Sequence, residues 1–348
     1  MKEPSDAPRR ARASDVARAA GVSTATVDRV LNRRPGVRDA TVQRVLKAAA
    51  TLEYLPEADL FASMARKPMQ LAFLLPAGTN RYLRMLGETV AFMEDQLAPF
   101  NVRCKAHFIE GFNPQVLAER LHHHGRRSDG VAFMPLEHPL VREAVNTLAD
   151  DGVPVITLVS DLTSSRRAAY VGLDNRAAGR TAALLIGRFI GARSATVALI
   201  AGSRSYRGHE DREMGFLSLV EEMFPQLQVA GLREGHDDAQ TNERQTRALL
   251  EQYPALAGIY NIGGASDGVA RALKATGRDQ KVVFIGHGLT PDTRALLIDG
   301  TLDAVITQSP QSVVGNAVRI FANLRDGRDA MTGVEALRLN LVLRENLP

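Results

Sequence analysis

The chain has 348 residues, 45% hydrophobic and 24% charged, with a formal net charge of +4, one cysteine and no tryptophan. That length accommodates a small module plus two core-forming lobes, at about 100–200 residues per domain. The single Cys104 excludes an internal disulfide and a zinc cluster built from cysteines; the opening MKEPSDAPRRARA lacks the apolar stretch of a secretory signal, and no apolar run approaches bilayer length.

A cytoplasmic protein without membrane contact is therefore expected. Its charge is uneven. Residues 1–70 hold 13 Lys/Arg and 8 Asp/Glu, whereas the remainder holds 30 and 31. All the excess positive charge sits in the first fifth, as a segment that neutralises phosphates requires.

Residues 1–12 are rich in Pro, Arg and Ser and read as a disordered basic arm. Residues 13–56 carry the punctuation of a helix-turn-helix. A first helix is expected from about Ser14 to Ala20, a second from Thr24 to Leu31 and a third from Asp39 to Leu52, with a loop around Pro35-Gly36. Gly21 suits the first turn because it tolerates positive φ, and Ser23 can cap the next helix. Val16, Ala20, Val27, Val30, Leu31, Val42, Val45, Leu46 and Ala49 recur at helical spacing and predict one small core. Arg18, Arg29, Arg33, Arg34, Arg38, Arg44 and Lys47 are left for the exposed faces. A basic arm that merely aids solubility would need no such spacing; this is the pattern of a DNA reader.

Residues 57–69 read as a hinge or linker, with a helix expected between Pro56 and Pro68 in PEADLFASMARKP. Beyond it, short β-rich runs alternate with amphipathic helical stretches. The runs are Leu71–Leu75, Val102–Ile109, Gly130–Met134, Val153–Val159, Thr196–Ala201, Gly258–Ile262, Val282–Gly286 and Ala304–Thr307. This alternation predicts an α/β fold: an all-α N-terminal headpiece and hinge, then two doubly wound parallel-sheet lobes. The first lobe is expected at about 70–168 and 308–328, the second at about 169–307 and 329–348. Ligands of such sheets sit outside the carboxyl ends of the strands.

The whole arrangement resembles the LacI/GalR family of effector-controlled transcription regulators. The signature is DVARAAGVSTATVDRVLN at 15–32, followed by GVRDATVQRVLKAAATLEYLP. The larger region is similar to the periplasmic-binding-protein type I fold, through GVPVITL at 152–158, YVGLDNRAAGRTAA at 170–183 and GIYNIG at 258–263. The resemblance implies a repressor that forms a homodimer, or a higher assembly, on palindromic operator DNA. It also implies a small effector, a sugar, sugar derivative or polyol, held between two lobes and controlling operator affinity. No cofactor is implied. The alternative is a solute-binding protein or sugar-sensing domain without DNA regulation.

Carried onto this chain, the family's second helix places Thr24 and Ala25 against base edges, with Arg29 one turn further on. Ser23, Thr26, Asn32, Arg33, Arg38 and Thr41 fall where the family meets phosphates. Three departures stand out. Asp28 occupies a common serine position and would repel phosphate unless a nearby base neutralises it. Arg12 and Arg38 hold the usual capping slots, leaving Ser14 and Asp39 to take over. In the hinge, Ser63 stands at the position of the leucine wedge that enters the minor groove, with Met64 beside it and Leu60 one turn before.

Candidate effector ligands at strand ends are Asn80, Arg81, Tyr82, Glu137, Asp161, Arg212, Asn261, His287 and Gln308. Arg212 matches the family's pocket arginine in HEDREMGF. Two of the family's aspartates are missing: one falls at the Gly288 region and one on Val159. Either His287 and Asp161 substitute, or the ligand differs from a simple neutral hexose. Without tryptophan, Tyr82, Phe133 and Tyr206 are the candidates for stacking. His122-His123-His124 cannot share one metal, because consecutive helical residues point about 100° apart. No Ser/His/Asp set or paired carboxylates mark a catalytic site, so no enzyme is expected.

Overall fold

A computed structural model describes residues 11–32, 34, 36–52, 54 and 67–348. It divides into two units, Met1–Pro68 and Met69–Pro348. The arm through residue 10, Arg33, and the hinge residues Leu60, Ser63 and Met64 lie outside the described residues.

In the first unit, α1 spans Ala13–Ala20, α2 Thr24–Leu31 and α3 Asp39–Thr51. The break between α1 and α2 is local chemistry. Gly21 takes φ 65° and returns its N–H to the carbonyls of Ala17 and Arg18, a left-handed closure that a Cβ would strain. Ser23 then caps α2, its Oγ accepting the Thr26 N–H at 3.2 Å. The expected cap at Ser14 is corrected. Asp15 reaches back instead, accepting the Arg12 N–H at 2.8 Å, and the helix starts at Ala13. At Arg38 no side chain caps α3. Val16, Val27, Val45, Leu46 and Ala49 are fully enclosed, and each buried Val or Leu contributes about 1.5–3 kcal/mol.

The second unit holds two sheets. The first runs β2 (Val102–Glu110), β1 (Met69–Ala77), β3 (Gly130–Phe133), β4 (Val155–Leu158) and β5 (Ala169–Val171), all parallel. Its helices are α4 (Arg81–Phe92), α5 (Glu94–Leu97), α6 (Pro114–Gly125) and α7 (Pro139–Asp150). The second sheet runs β11 (Asn340–Val342), β10 (Ala304–Thr307), β9 (Val283–His287), β8 (Leu256–Asn261), β6 (Ala195–Ala201) and β7 (Leu227–Glu234). Only β11 is antiparallel, Val305 pairing with Val342. Around this sheet lie α8 (Asn175–Ile190), α9 (Arg207–Met223), α10 (Ala239–Gln252), α11 (Ser266–Ala275) and α12 (Pro291–Ile298). Each sheet has an apolar cluster on either face.

The chain crosses between lobes three times. It leaves the first sheet after β5, returns through α13 (Pro310–Arg325), whose Val313, Val314, Ala317 and Phe321 pack on that sheet, and ends in β11 of the second. Because β5 pairs with β4, the first crossing lies after Val171 rather than at 168. Among the described residues, no helix is long and apolar enough to cross a membrane.

Candidate functional site

The headpiece offers its second helix to solvent. Thr24, Ala25, Asp28 and Arg29 are exposed, as are Ser23, Asn32 and Arg38, whereas Thr26 and Thr41 are half-buried. Ser23 and Thr26 also share a 2.9 Å hydrogen bond between their hydroxyls. The acid at position 28 is neutralised locally: Asp28 accepts from the Asn32 amide at 2.7 Å and from Arg34 at 3.1 Å. Arg34, not Arg29, serves as its base. Arg29 forms no ion pair among the described residues and remains a free guanidinium near the end of α2.

The other site lies where the carboxyl ends of the two sheets face each other. A cleft with about 480 Å³ of unfilled space, partly open to solvent, is lined by Asn80, Tyr82, His209, Arg212, His287 and Gln308, with Leu83, Met134, Val159, Leu173 and Ile306 as apolar wall. That mixture of a few convergent polar groups and an apolar wall suits a small polar ligand. The lobes touch directly around it. Thr79 Oγ1 donates to the Asp237 carbonyl at 2.5 Å and Asn80 Nδ2 to Asp237 Oδ2 at 2.9 Å. Gly208 N–H donates to Ser160 Oγ at 3.0 Å, and Arg81 pairs with Asp292.

Arg212 is the anchor. It is 7% exposed and sits on α9 where that helix crosses α8 without side chains between. A Cβ on Gly179 would lie 2.0 Å from the Arg212 carbonyl, and one on Gly215 2.1 Å from the Arg176 carbonyl. The guanidinium is aimed by neutral oxygens: Nε donates to Asn175 Oδ1 at 2.8 Å and Nη1 to the Ile262 carbonyl at 2.7 Å. Asn175 in turn donates to the Val159 carbonyl at 3.2 Å and the Tyr170 hydroxyl at 3.1 Å. Val159 holds φ 65°, a costly conformation for a β-branched residue and one that clusters at functional sites.

Burial, with the positive charges of the neighbourhood, sets the protonation states. His209 is pushed down to about 4, chiefly by burial and further by Arg212 against the opposing pull of Asp237. His287 is pushed well below the ordinary histidine value by burial, then by Arg212 and His209. Both rings are therefore neutral at pH 7. His287 Nε2 meets the Tyr260 hydroxyl at 2.7 Å. Burial also raises the Tyr82 phenol above its ordinary value. The Tyr82 hydroxyl and Gln308 Oε1 are buried without a hydrogen bond of normal geometry among the described residues, although the Gln308 side chain lies close enough to act on the Tyr82 phenol against the larger effect of burial. Such orphans cost about 1–3 kcal/mol each when nothing pairs them.

Of the nine residues expected around an effector, five line this cleft: Asn80, Tyr82, Arg212, His287 and Gln308. Four do not. Glu137 is held by Arg142 and by Thr163, whose hydroxyl donates at 3.1 Å. Asp161 is gripped by Arg167 at 2.5 Å and by Thr157 at 2.7 Å, so it does not replace the missing aspartate. Asn261 is fully enclosed, its amide donating to the Gly264 carbonyl and Ser266 Oγ. Arg81 faces an adjoining hollow at the cleft mouth. For stacking, Phe133 and Tyr206 are core residues, 0% and 2% exposed, which leaves Tyr82. His209 escaped the sequence reading, although its position one helical turn before Arg212 places it on the same face of α9.

A two-lobed α/β unit with a polar cleft, following a helix-turn-helix along the chain, defines the class: a ligand-binding module joined to a DNA-reading module. Residues 14–57 match the family of bacterial regulatory proteins, lacI family, and residues 118–329 match the periplasmic binding protein domain. The ribose operon repressor of Halalkalibacterium halodurans is 28% identical over 269 residues, covering 75% of this chain and 73% of that protein. The sucrose operon repressor of Shigella flexneri is 50% identical over 62 residues, 17% of this chain and 19% of that one. Among solved structures, the glucose-galactose binding protein GanP of Geobacillus stearothermophilus superposes with a TM-score of 0.73 at 24% identity, over 81% of this chain and all of that one. The chain belongs to the LacI family of bacterial regulatory proteins, and its larger unit is a periplasmic binding protein domain. It is a DNA-binding transcription regulator.

Proposed function

We propose that this regulator is a homodimeric repressor whose grip on a palindromic operator is set by a small carbohydrate-like effector in the cleft. The observation that carries the reading is the set of unsatisfied groups. The Tyr82 hydroxyl and Gln308 Oε1 are buried without partners beside an Arg212 whose Nη2 makes no hydrogen bond among the described residues. A hydroxyl-rich ligand would satisfy them. Thr24, Ala25 and Arg29 read bases in the major groove, while Ser23, Thr26, Arg38 and Thr41 set the register on phosphates. Asn32 supports the same face by holding Asp28. For self-association, α8 and α9 leave Leu184, Phe189, Met214, Leu217 and Met223 at 38–50% exposure, apolar side chains that a second copy could cover.

The effector acts by preferring one arrangement of the lobes, and can shift operator affinity only by its differential affinity for the two states. The test is fluorescence anisotropy on labelled palindromic DNA with the full chain, with and without a panel of sugars, sugar acids and polyols. Arg212→Ala is expected to keep operator affinity and lose the effector response. A variant that still responds like the wild type would remove Arg212, and with it the cleft, from the mechanism.

A further inference from the structure

We infer that the effector is a monoanion: a small polyhydroxylated carboxylate whose carboxylate is taken by Arg212. The inference rests on the reading of the cleft as an effector site and names the chemistry of its occupant. It starts from what the cleft lacks. Its fifteen lining residues include one arginine and no aspartate or glutamate. A neutral sugar presents many O–H donors and is best met by carboxylate and amide oxygens. Here the lining offers one guanidinium and no carboxylate. Arg212 Nη2 and the Tyr82 hydroxyl are uncommitted among the described residues, and the unpaired Gln308 Oε1 supplies an acceptor.

The carboxylates that could have served sugar hydroxyls are occupied elsewhere. Glu137 pairs with Arg142, and Asp161 with Arg167. Asp237, whose charge acts on Arg212, has Oδ1 taken by the Gly264 N–H at 2.6 Å and Oδ2 by Asn80 at 2.9 Å. Its backbone carbonyl accepts from Thr79.

Arg212 is consequently a buried cation without a salt bridge among the described residues, its two bonds going to a neutral amide and a main-chain carbonyl. A guanidinium stays protonated even when enclosed, and a buried charge without an anionic partner is unfavourable. A ligand carboxylate would supply that partner, in the planar geometry that arginine recognises. His209 and His287 line the same cleft as neutral rings, so they add hydrogen bonds without a second positive charge. One cation matches one carboxylate. A phosphate ester carries about −1.5 to −2 and asks for more.

Isothermal titration of the full chain tests this with gluconate and galacturonate against glucose and galactose, with glucose 6-phosphate as a third arm. At least one acid is expected to bind about a hundredfold more tightly than its neutral parent, the scale of a buried charge-assisted pair. Gln308→Glu, which places a carboxylate in the lining at nearly constant shape, should weaken the acid and narrow that ratio. Arg212→Gln should abolish the ratio. The wild-type ratio stands alone if either variant fails to fold. Equal or tighter binding of a neutral parent, tighter binding of the phosphate, or no binding of either acid overturns the inference.

The same ligands added to the protein–operator complex separate the two readings. A neutral sugar that shifts operator affinity sinks the carboxylate and keeps the effector site. An acid that binds but leaves operator affinity unchanged keeps the carboxylate and sinks the effector role.

Discussion

The reading head and the cleft solve recognition in opposite ways. On α2 the side chains proposed to read bases, Thr24, Ala25 and Arg29, are consecutive or one turn apart, exposed, and carried by one eight-residue helix. In the cleft, the polar groups come from the ends of separate strands and helices, spread from Asn80 to Gln308, and all are buried or half-buried. An exposed set meets a partner that brings its own surface and sheds its own water. A buried set must be aimed in advance, and each group left unpaired weighs against the closed state. The first arrangement predicts effects confined to one function, the second effects on stability and response together.

The largest expected effect on the DNA side is Arg29→Ala. A bidentate contact to guanine discriminates by about 1–3 kcal/mol, so operator affinity should fall roughly tenfold to a hundredfold while effector binding stays unchanged. Anisotropy with cognate and base-substituted duplexes checks it; equal loss on both would make Arg29 a phosphate contact.

Acidity tests the cleft side. A histidine whose folded pKa lies below its unfolded value binds its proton in the unfolded chain first, so stability rises with pH across that window and falls on acidification. For His209 the window runs from about 6.5 down to about 4, and His287 shifts in the same direction. Between pH 7 and pH 5, His209 alone should cost about 2 kcal/mol. Thermal melts of wild type and His209→Gln would show it, with the variant losing less on acidification. A wild-type melting temperature that is flat over this range would sink the assignment of a neutral buried ring.

Ser23→Ala is the smallest effect. Loss of the cap on α2 should destabilise the headpiece by about 1 kcal/mol, seen as earlier melting of that unit and a modest fall in operator affinity, with no change at the cleft.

The difference between the regions also explains how far the sequence could be read. The headpiece was legible because its determinants are local: Gly21 must turn, Ser23 must cap, and the apolar spacing must close one small core. The parallel sheets were legible as apolar runs. What escaped was short or peripheral. β5 and β11 have three residues each, and β7 is an edge strand, half-exposed and interrupted by Gly231. Arg212, Tyr82 and Gln308, to which strand ends and the R-x-x-G-F setting point, line the cleft together. Glu137, Asp161 and Asn261 lie outside the cleft lining because Arg142, Arg167 and Ser266, only five or six residues on, hold them; Arg81 is held by Asp292, far along the chain. Spacing along the chain shows that such partners are near, not that they take the side chain away from a ligand.

The interlocked glycines Gly179 and Gly215 have a consequence for how such a regulator diversifies. They bind α8 to α9 backbone against backbone, so the arginine proposed to hold the effector is carried by a slab of two helices rather than by a loop. The remaining cleft groups each stand on their own strand end and can be exchanged one at a time without disturbing that slab. A chain built this way can change the molecule it listens for while keeping the machinery that reports it.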